Sequence, residues 1–154
     1  MPQIFLALGS NVGKKKANLE QALRLLVRHK VIANIKRSTF YTTKPVGGPP
    51  QDDYLNGVIK AKTTLSPLKL LKALKNIEIE MGRKKAGKNY PRVIDIDILL
   101  YDNRVMRTKK LTIPHPRMHK RVFVLKGLAE IAPAIMHPVI GKTMSELLNY
   151  NTND

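Results

Sequence analysis

Residues 92–101 read RVIDIDILLY, and the alternation of aspartate with isoleucine predicts a β-strand. Side chains alternate across a strand, so Asp95 and Asp97 share one face while Ile94, Ile96 and Ile98 point the other way, into a core. Toward the N-terminus, residues 82–91 (GRKKAGKNYP) form a basic, glycine-containing loop that cannot pack a core. Before it, Leu70, Leu71, Leu74, Ile77 and Met81 make one helical stripe, opened by Ser66 as N-cap and Pro67 in the first turn. Residues 54–64 alternate with Leu55, Gly57 and Ile59 on one side, and residues 31–43, rich in β-branched and aromatic side chains, predict one long strand. Between them, residues 44–53 (KPVGGPPQDD) are a loop. Leu19, Ala22, Leu23 and Leu26 predict a helix over 15–29, and residues 4–8 are an apolar run ended by Gly9, a strand buried on both faces.

Downstream, residues 111–115 are a short extended piece. A helix follows with Val124, Leu125, Leu128 and Ala132 on its stripe, stopped by Pro133. Thr143 and Glu146 form a capping box that opens a last short helix. The order β-α-β-β-α-β plus a C-terminal extension predicts an α+β, ferredoxin-like fold. Its antiparallel sheet carries helices on one face and leaves the other to loops and the extension. Many functions use that arrangement, so function must come from particular residues.

The chain has 154 residues, which fits one domain over residues 1–154 that needs no metal or disulfide to fold. Cysteine is absent, excluding a disulfide framework, a zinc-thiolate site and a cysteine nucleophile. The opening residues read as a core strand rather than a secretion signal. No apolar stretch approaches the roughly 18 residues of a membrane span. A soluble, cytoplasmic, monomeric protein is expected. Lys and Arg total 28 against 11 Asp and Glu, a net charge of +17. Such a field draws anions without choosing among them.

Two residues of strand rise separate Asp95 from Asp97 by about 6.6 Å. At an effective dielectric near 20 the two charges repel by roughly 2.5 kcal/mol. A divalent cation turns that repulsion into a binding site, and an all-oxygen donor set suits Mg²⁺ whose shell is completed by nucleotide phosphates. Arg83, Lys84, Lys85, Lys88, Arg92, His115, Arg117 and Arg121 are the cations available to neutralise phosphate charge. The stretch Gly9–Gly13 followed by Lys14 looks like a phosphate-binding loop but has three residues between its glycines instead of four, and Lys15 where Ser or Thr is needed. Its role is read as a turn, with the glycines and Asn11 allowing a sharp exit from the first strand. Tyr54 and Asn56, at i and i+2 on one strand, offer a stacking plane and an amide suited to a heterocycle edge.

Taken together, LALGSN, PVGGPPQDDYLNGV, PRVIDIDILLYD and IPHPRMHKRVFVLKGLAEIAP closely resemble the 6-hydroxymethyl-7,8-dihydropterin pyrophosphokinase family, from Gln3 to Pro138. The resemblance implies a ferredoxin-like enzyme of folate synthesis that moves the β,γ-diphosphate of ATP onto a pterin alcohol and releases AMP. It implies that Asp95 and Asp97 hold two Mg²⁺ ions on the ATP phosphates, and that Tyr54 and Phe123 sandwich the pterin while Asn56 reads its edge. Thr43, Pro45, Val46 and Gly47 would line the pterin pocket. Arg83, Arg92 and Arg121 would engage the triphosphate, and His115 would contact phosphate. Residues 82–91 correspond to a mobile lid, and residues 44–53 to a second moving loop. The chain departs from some relatives at Asn89-Tyr90, where they carry Trp-Gly, at Pro116, where they carry tyrosine, and at Lys84 and Lys85 in place of arginine.

Two other classes fit parts of the pattern. A basic ferredoxin-like nucleic-acid-binding module matches the charge, yet the aromatic sheet motif of RNA-recognition domains is missing. A Mg²⁺-dependent nucleotidyltransferase also uses paired aspartates, but would release pyrophosphate.

Overall fold

The computed structural model describes residues 1–82 and 89–152. Its strands are β1 (Gln3–Ser10), β2 (Ala33–Arg37), β3 (Tyr41–Thr43), β4 (Tyr54–Lys62), β5 (Asp95–Tyr101), β6 (Met106–Arg107) and β7 (Thr112–Ile113). Its helices are α1 (Lys15–Arg28), α2 (Pro67–Glu80), α3 (Val122–Ile131) and α4 (Met144–Thr152), with a 3₁₀ turn over Met118–Lys120. The main sheet is antiparallel in the order β2-β4-β1-β5, with β3 also pairing β4; β6 and β7 form a separate ribbon.

Alternation sends the two faces of this sheet into two cores. Ile4, Leu6, Leu8, Ile59, Ile94, Ile96 and Ile98 pack under α1 and α2 with Leu19, Leu26, Leu70 and Leu74. Phe5, Val58, Leu99 and Leu100 pack under α3 and α4 with Leu125, Leu128 and Met144. Each fully buried side chain of this size contributes roughly 1.5–3 kcal/mol, so β5 is held from both sides. The C-terminal extension thus supplies the second helical layer. Its capping box forms as expected: Thr143 N donates to Glu146 Oε1 and Glu146 N to Thr143 Oγ1, both at 3.1 Å.

Several local expectations change. The long strand over 31–43 divides into β2 and β3, because at Ser38 the chain bonds inward. Ser38 N donates to Val58 O, while Ser38 Oγ accepts from Val58 N. The strand expected from Arg92 begins at Asp95; Arg92 instead exchanges backbone and side-chain bonds with Asn11. Gly9 does not end β1, which runs on to Ser10. Ser66 stands at the N-cap of α2 in extended backbone but makes no side-chain capping bond. Leu71 is only partly buried, whereas Glu78 is buried among the apolar residues of α2. The register between β1 and β5 shifts between Phe5 and Leu6. That bulge turns both Leu99 and Leu100 toward the α3 side, which strict alternation does not allow.

Candidate active site

Three neighbouring strands build the site. In β1, Gly9 stands opposite Asn56 of β4 on one side and Asp95 of β5 on the other; Ala7 stands between Val58 and Asp97 in the same way. Alanine and glycine make a low floor, flanked by the polar side chains of β4 and the carboxylates of β5. Those two rows lie two strand spacings, about 10 Å, apart.

A hollow of about 230 Å³ stands over this floor, lined by Thr43, Pro45, Val46, Tyr54, Asn56, Asp95, Asp97, Arg121 and Phe123 among others. Phe123 comes from the first turn of α3 and Tyr54 from β4, so two aromatic rings wall one space. Asn56 is buried, and its Nδ2 donates to Thr43 Oγ1 at 2.5 Å. A second hollow of about 440 Å³ is lined by Lys75, Arg92, His115, Arg117 and Arg121. Tyr54, Asn89, Asp95, Asp97 and Arg121 belong to both. The two aspartates therefore mark the join between an aromatic slot and a cationic hollow.

Burial first, and then the charge of Asp95, push the Asp97 carboxyl up to about 7; Arg121 and Lys75 oppose the rise. Arg92 Nη1 lies 3.7 Å from Asp95 Oδ1. Behind the pair, at the open edge of β5, the buried Glu78 accepts a hydrogen bond from Ile96 N at 2.8 Å, between the two acids. Two carboxylates with cations nearby match the donor set of Mg²⁺, which takes one or two protein carboxylates and fills its shell from phosphates and water. Among the described residues no third His, Cys, Asp or Glu joins them.

His115 is held neutral: burial, then the charges of Arg121 and Arg117, lower its pKa to about 4. Its Nδ1 accepts from Arg117 N at 3.2 Å, which leaves Nε2–H free to donate. A depressed folded pKa means that the unfolded chain takes up a proton first as pH falls through 6.5, so this group removes stability between about 6.5 and 4. The expected NMR titration of the His115 ring shows no inflection between pH 5 and 8. An inflection near 6.5 would contradict the environment described.

Most of the residues picked from sequence converge. Thr43, Pro45, Val46, Tyr54, Asn56 and Phe123 line the slot, Arg92 and His115 the cationic hollow, and Asp95, Asp97 and Arg121 both. Gly47 lines neither; it packs on the Asn89 side chain. Arg83, Lys84, Lys85 and Lys88 lie outside the described residues. Asn89 borders both hollows, while the exposed Tyr90 borders neither.

Sequence reasoning missed four contributions. The Ala7–Gly9 floor was signalled by a glycine inside a strand pattern, a mark of close approach. Asn11 is a latch rather than a turn residue. Its Nδ2 donates to Gln51 Oε1 and Asp52 O, and its Oδ1 accepts from Arg92 N. It thus ties the 44–53 loop to the segment leading into β5. Gln51 reaches on to Asn89 O at 2.7 Å. Lys75 and Glu78 read as ordinary helix residues, and only packing shows their direction.

The model of the family described as 7,8-dihydro-6-hydroxymethylpterin-pyrophosphokinase (HPPK) matches residues 5–133, and the chain belongs to that family. The 2-amino-4-hydroxy-6-hydroxymethyldihydropteridine pyrophosphokinase of Aquifex aeolicus is 44% identical over 152 residues, covering 99% of this chain and 94% of its own. The Bacillus subtilis protein of the same name is 42% identical over 131 residues, covering 85% and 78%. A solved Plasmodium falciparum HPPK-DHPS structure shares the fold at a TM-score of 0.78 and 18% identity. It aligns with 99% of this chain, which spans 41% of that longer one.

Proposed function

We infer that the chain transfers the β,γ-diphosphate of ATP to the hydroxyl of 6-hydroxymethyl-7,8-dihydropterin, giving AMP and the pterin diphosphate in folate synthesis. The observation that carries this is the placement of Asp95 and Asp97 at the join of the two hollows. An acceptor ring held between Tyr54 and Phe123 would direct its hydroxymethyl group across the aspartates, toward a triphosphate lying among Arg92, His115, Arg117 and Arg121. A new bond forms between the acceptor oxygen and the β-phosphorus as the hydroxyl proton passes to solvent, and the bond from that phosphorus to the α,β-bridging oxygen breaks, that oxygen leaving with AMP. Arginine forks, Lys75 and the neutral Nε2–H of His115 stabilise the charge that gathers on the phosphoryl oxygens. We propose that Asp95 and Asp97 bind Mg²⁺, in the family's case two ions, whose chemistry is to bridge and neutralise phosphate oxygens. Catalysis is positioning and charge neutralisation, and no side chain is assigned as a general base.

We read the fold as ferredoxin-like, on the support of the β-α-β-β-α-β chain order, with β2 and β3 together taking the place of its second strand, and the β2-β4-β1-β5 spatial order. Action as a monomer is likewise our proposal. Among the described residues no helix is long and apolar enough to cross a membrane; a cytoplasmic setting is our proposal, fitting a consumer of ATP without cysteines. Phosphorus NMR of the enzyme with MgATP and the pterin alcohol tests the reaction. AMP and a pterin diphosphate are expected; ADP would refute diphosphate transfer, and free pyrophosphate would indicate nucleotidyl transfer.

A further inference from the structure

Phe123, Gly127 and Glu130 stand at i, i+4 and i+7 on α3, and so share one face of the helix. Each meets the slot-forming strands differently. Phe123 walls the slot. Gly127, buried one turn on, lies against Val58: a Cβ added at Gly127 would sit 2.6 Å from Val58 Cγ2, 2.9 Å from Val58 Cβ and 3.3 Å from Ser38 Oγ. Val58 follows Tyr54 and Asn56 on the same face of β4. Glu130, a turn further, accepts from Thr39 N and Thr39 Oγ1, both at 2.9 Å, and from the Tyr41 hydroxyl at 2.5 Å. Tyr41 and Thr43 are in register with Asn56 and Tyr54.

We propose that Gly127 and Glu130 are positioning residues that set the gap between Phe123 and Tyr54, and with it the slot's selectivity for a flat, bicyclic ring. The proposal rests on the pterin reading above. Gly127 lets α3 approach β4 more closely than any side chain permits, and Glu130 clasps the far end of the helix to β3. Restoring ordinary contact at Gly127→Ala, from 2.6 Å to the 3.5–4.0 Å of non-bonded carbons, displaces the helix by about 1 Å. Phe123, one turn away on the same face, moves with it. A radial gap of that size forfeits roughly a quarter to a half of the contact energy of a stacked ring. Arg121, at the same end of α3, reaches through a long, flexible side chain that lets its guanidinium keep its place as the helix shifts.

The test is equilibrium binding of the pterin alcohol, in the presence of a non-hydrolysable MgATP analogue, to wild type, Gly127→Ala and Gly127→Ala/Val58→Ala, with analogue affinity measured alongside. Gly127→Ala is expected to weaken pterin binding about 10-fold, since a 1 Å misplacement can cost up to about 100-fold. Analogue affinity should stay close to wild type, and removing the Val58 methyls, which takes away the 2.6 Å contact but leaves Val58 Cβ at 2.9 Å, should recover part of the pterin affinity. Glu130→Ala should raise the pterin KM, with Glu130→Gln, which keeps an acceptor for Thr39 N, recovering part of it. Unchanged pterin affinity in Gly127→Ala overturns the proposal. So does an equal loss of pterin and nucleotide that Val58→Ala does not rescue, since that marks general disruption. A wild-type chain that binds nucleotide but no pterin overturns the functional reading itself, and is told apart because the loss precedes any substitution.

Discussion

Replacing Asp97 with asparagine is expected to abolish diphosphate transfer while making the metal-free protein more heat-stable. The two effects share one cause. The site holds a carboxylate that burial and the neighbouring Asp95 charge drive up to about 7, a cost tolerated because the charge is needed when cation and phosphates arrive. The folded pKa is raised, so the contribution to stability is fully present below the ordinary carboxylate range and is lost as pH rises toward about 7. Asparagine has no such charge to bury. Above pH 7, thermal melting of Asp97→Asn should lie about 5–10 °C above wild type, from a shift worth roughly 2–4 kcal/mol in a domain of this size. Near pH 4 the two curves should meet. Turnover should fall by at least about 100-fold, the scale of losing several kcal/mol of charge stabilisation. A variant that melts at or below the wild-type temperature at pH 8 would show that Asp97 is not held against its own charge.

The second large effect is expected at Gly9. A Cβ there would lie 2.8 Å from Asn56 Oδ1 and 3.3 Å from a Tyr54 ring carbon. Asn56 cannot yield without giving up its 2.5 Å bond to Thr43 Oγ1, and the Tyr54 ring walls the slot. Gly9→Ala therefore strikes chiefly the acceptor side, because Asn56 lines only the slot and Tyr54 lies at the join of the two hollows. The pterin KM should rise by about 100-fold, the cost of misplacing a buried recognition group. The Kd for a non-hydrolysable ATP analogue should stay within a few-fold of wild type. Apart from Tyr54 at its edge, the cationic hollow is lined from α2, β5 and the segments around residues 89–92 and 115–121, and Gly9 is not among its lining residues. Comparable weakening of both ligands would mean that the floor supports the whole sheet rather than the slot.

How much of this could be read beforehand follows from the range of the signals. Asp95 and Asp97 were legible because a period of two fixes the face of every side chain within one strand. Tyr54 and Asn56 were legible for the same reason. What the period cannot show is a break in itself. The inward bonds of Ser38 split one expected strand into β2 and β3, and the bulge near Phe5 reversed Leu100. Asn11, Lys75 and Glu78 act across sequence separations of tens of residues, through polar contacts that leave no local pattern. Gly9 and Gly127 were present as glycines, but what each makes room for appears only when another element packs on it. The resemblance to a family supplied the roles of Arg92, His115 and Arg121; charge alone nominated them among many cations.

The claim on which the rest depends is that Asp95 and Asp97 together hold the divalent ion on which ATP is bound. Titration calorimetry of a non-hydrolysable ATP analogue into wild type and into Asp95→Asn/Asp97→Asn, each with and without Mg²⁺, measures this directly. Mg²⁺ is predicted to tighten binding to wild type and to leave the affinity of the double variant unchanged. An equal gain from Mg²⁺ in both proteins would contradict it.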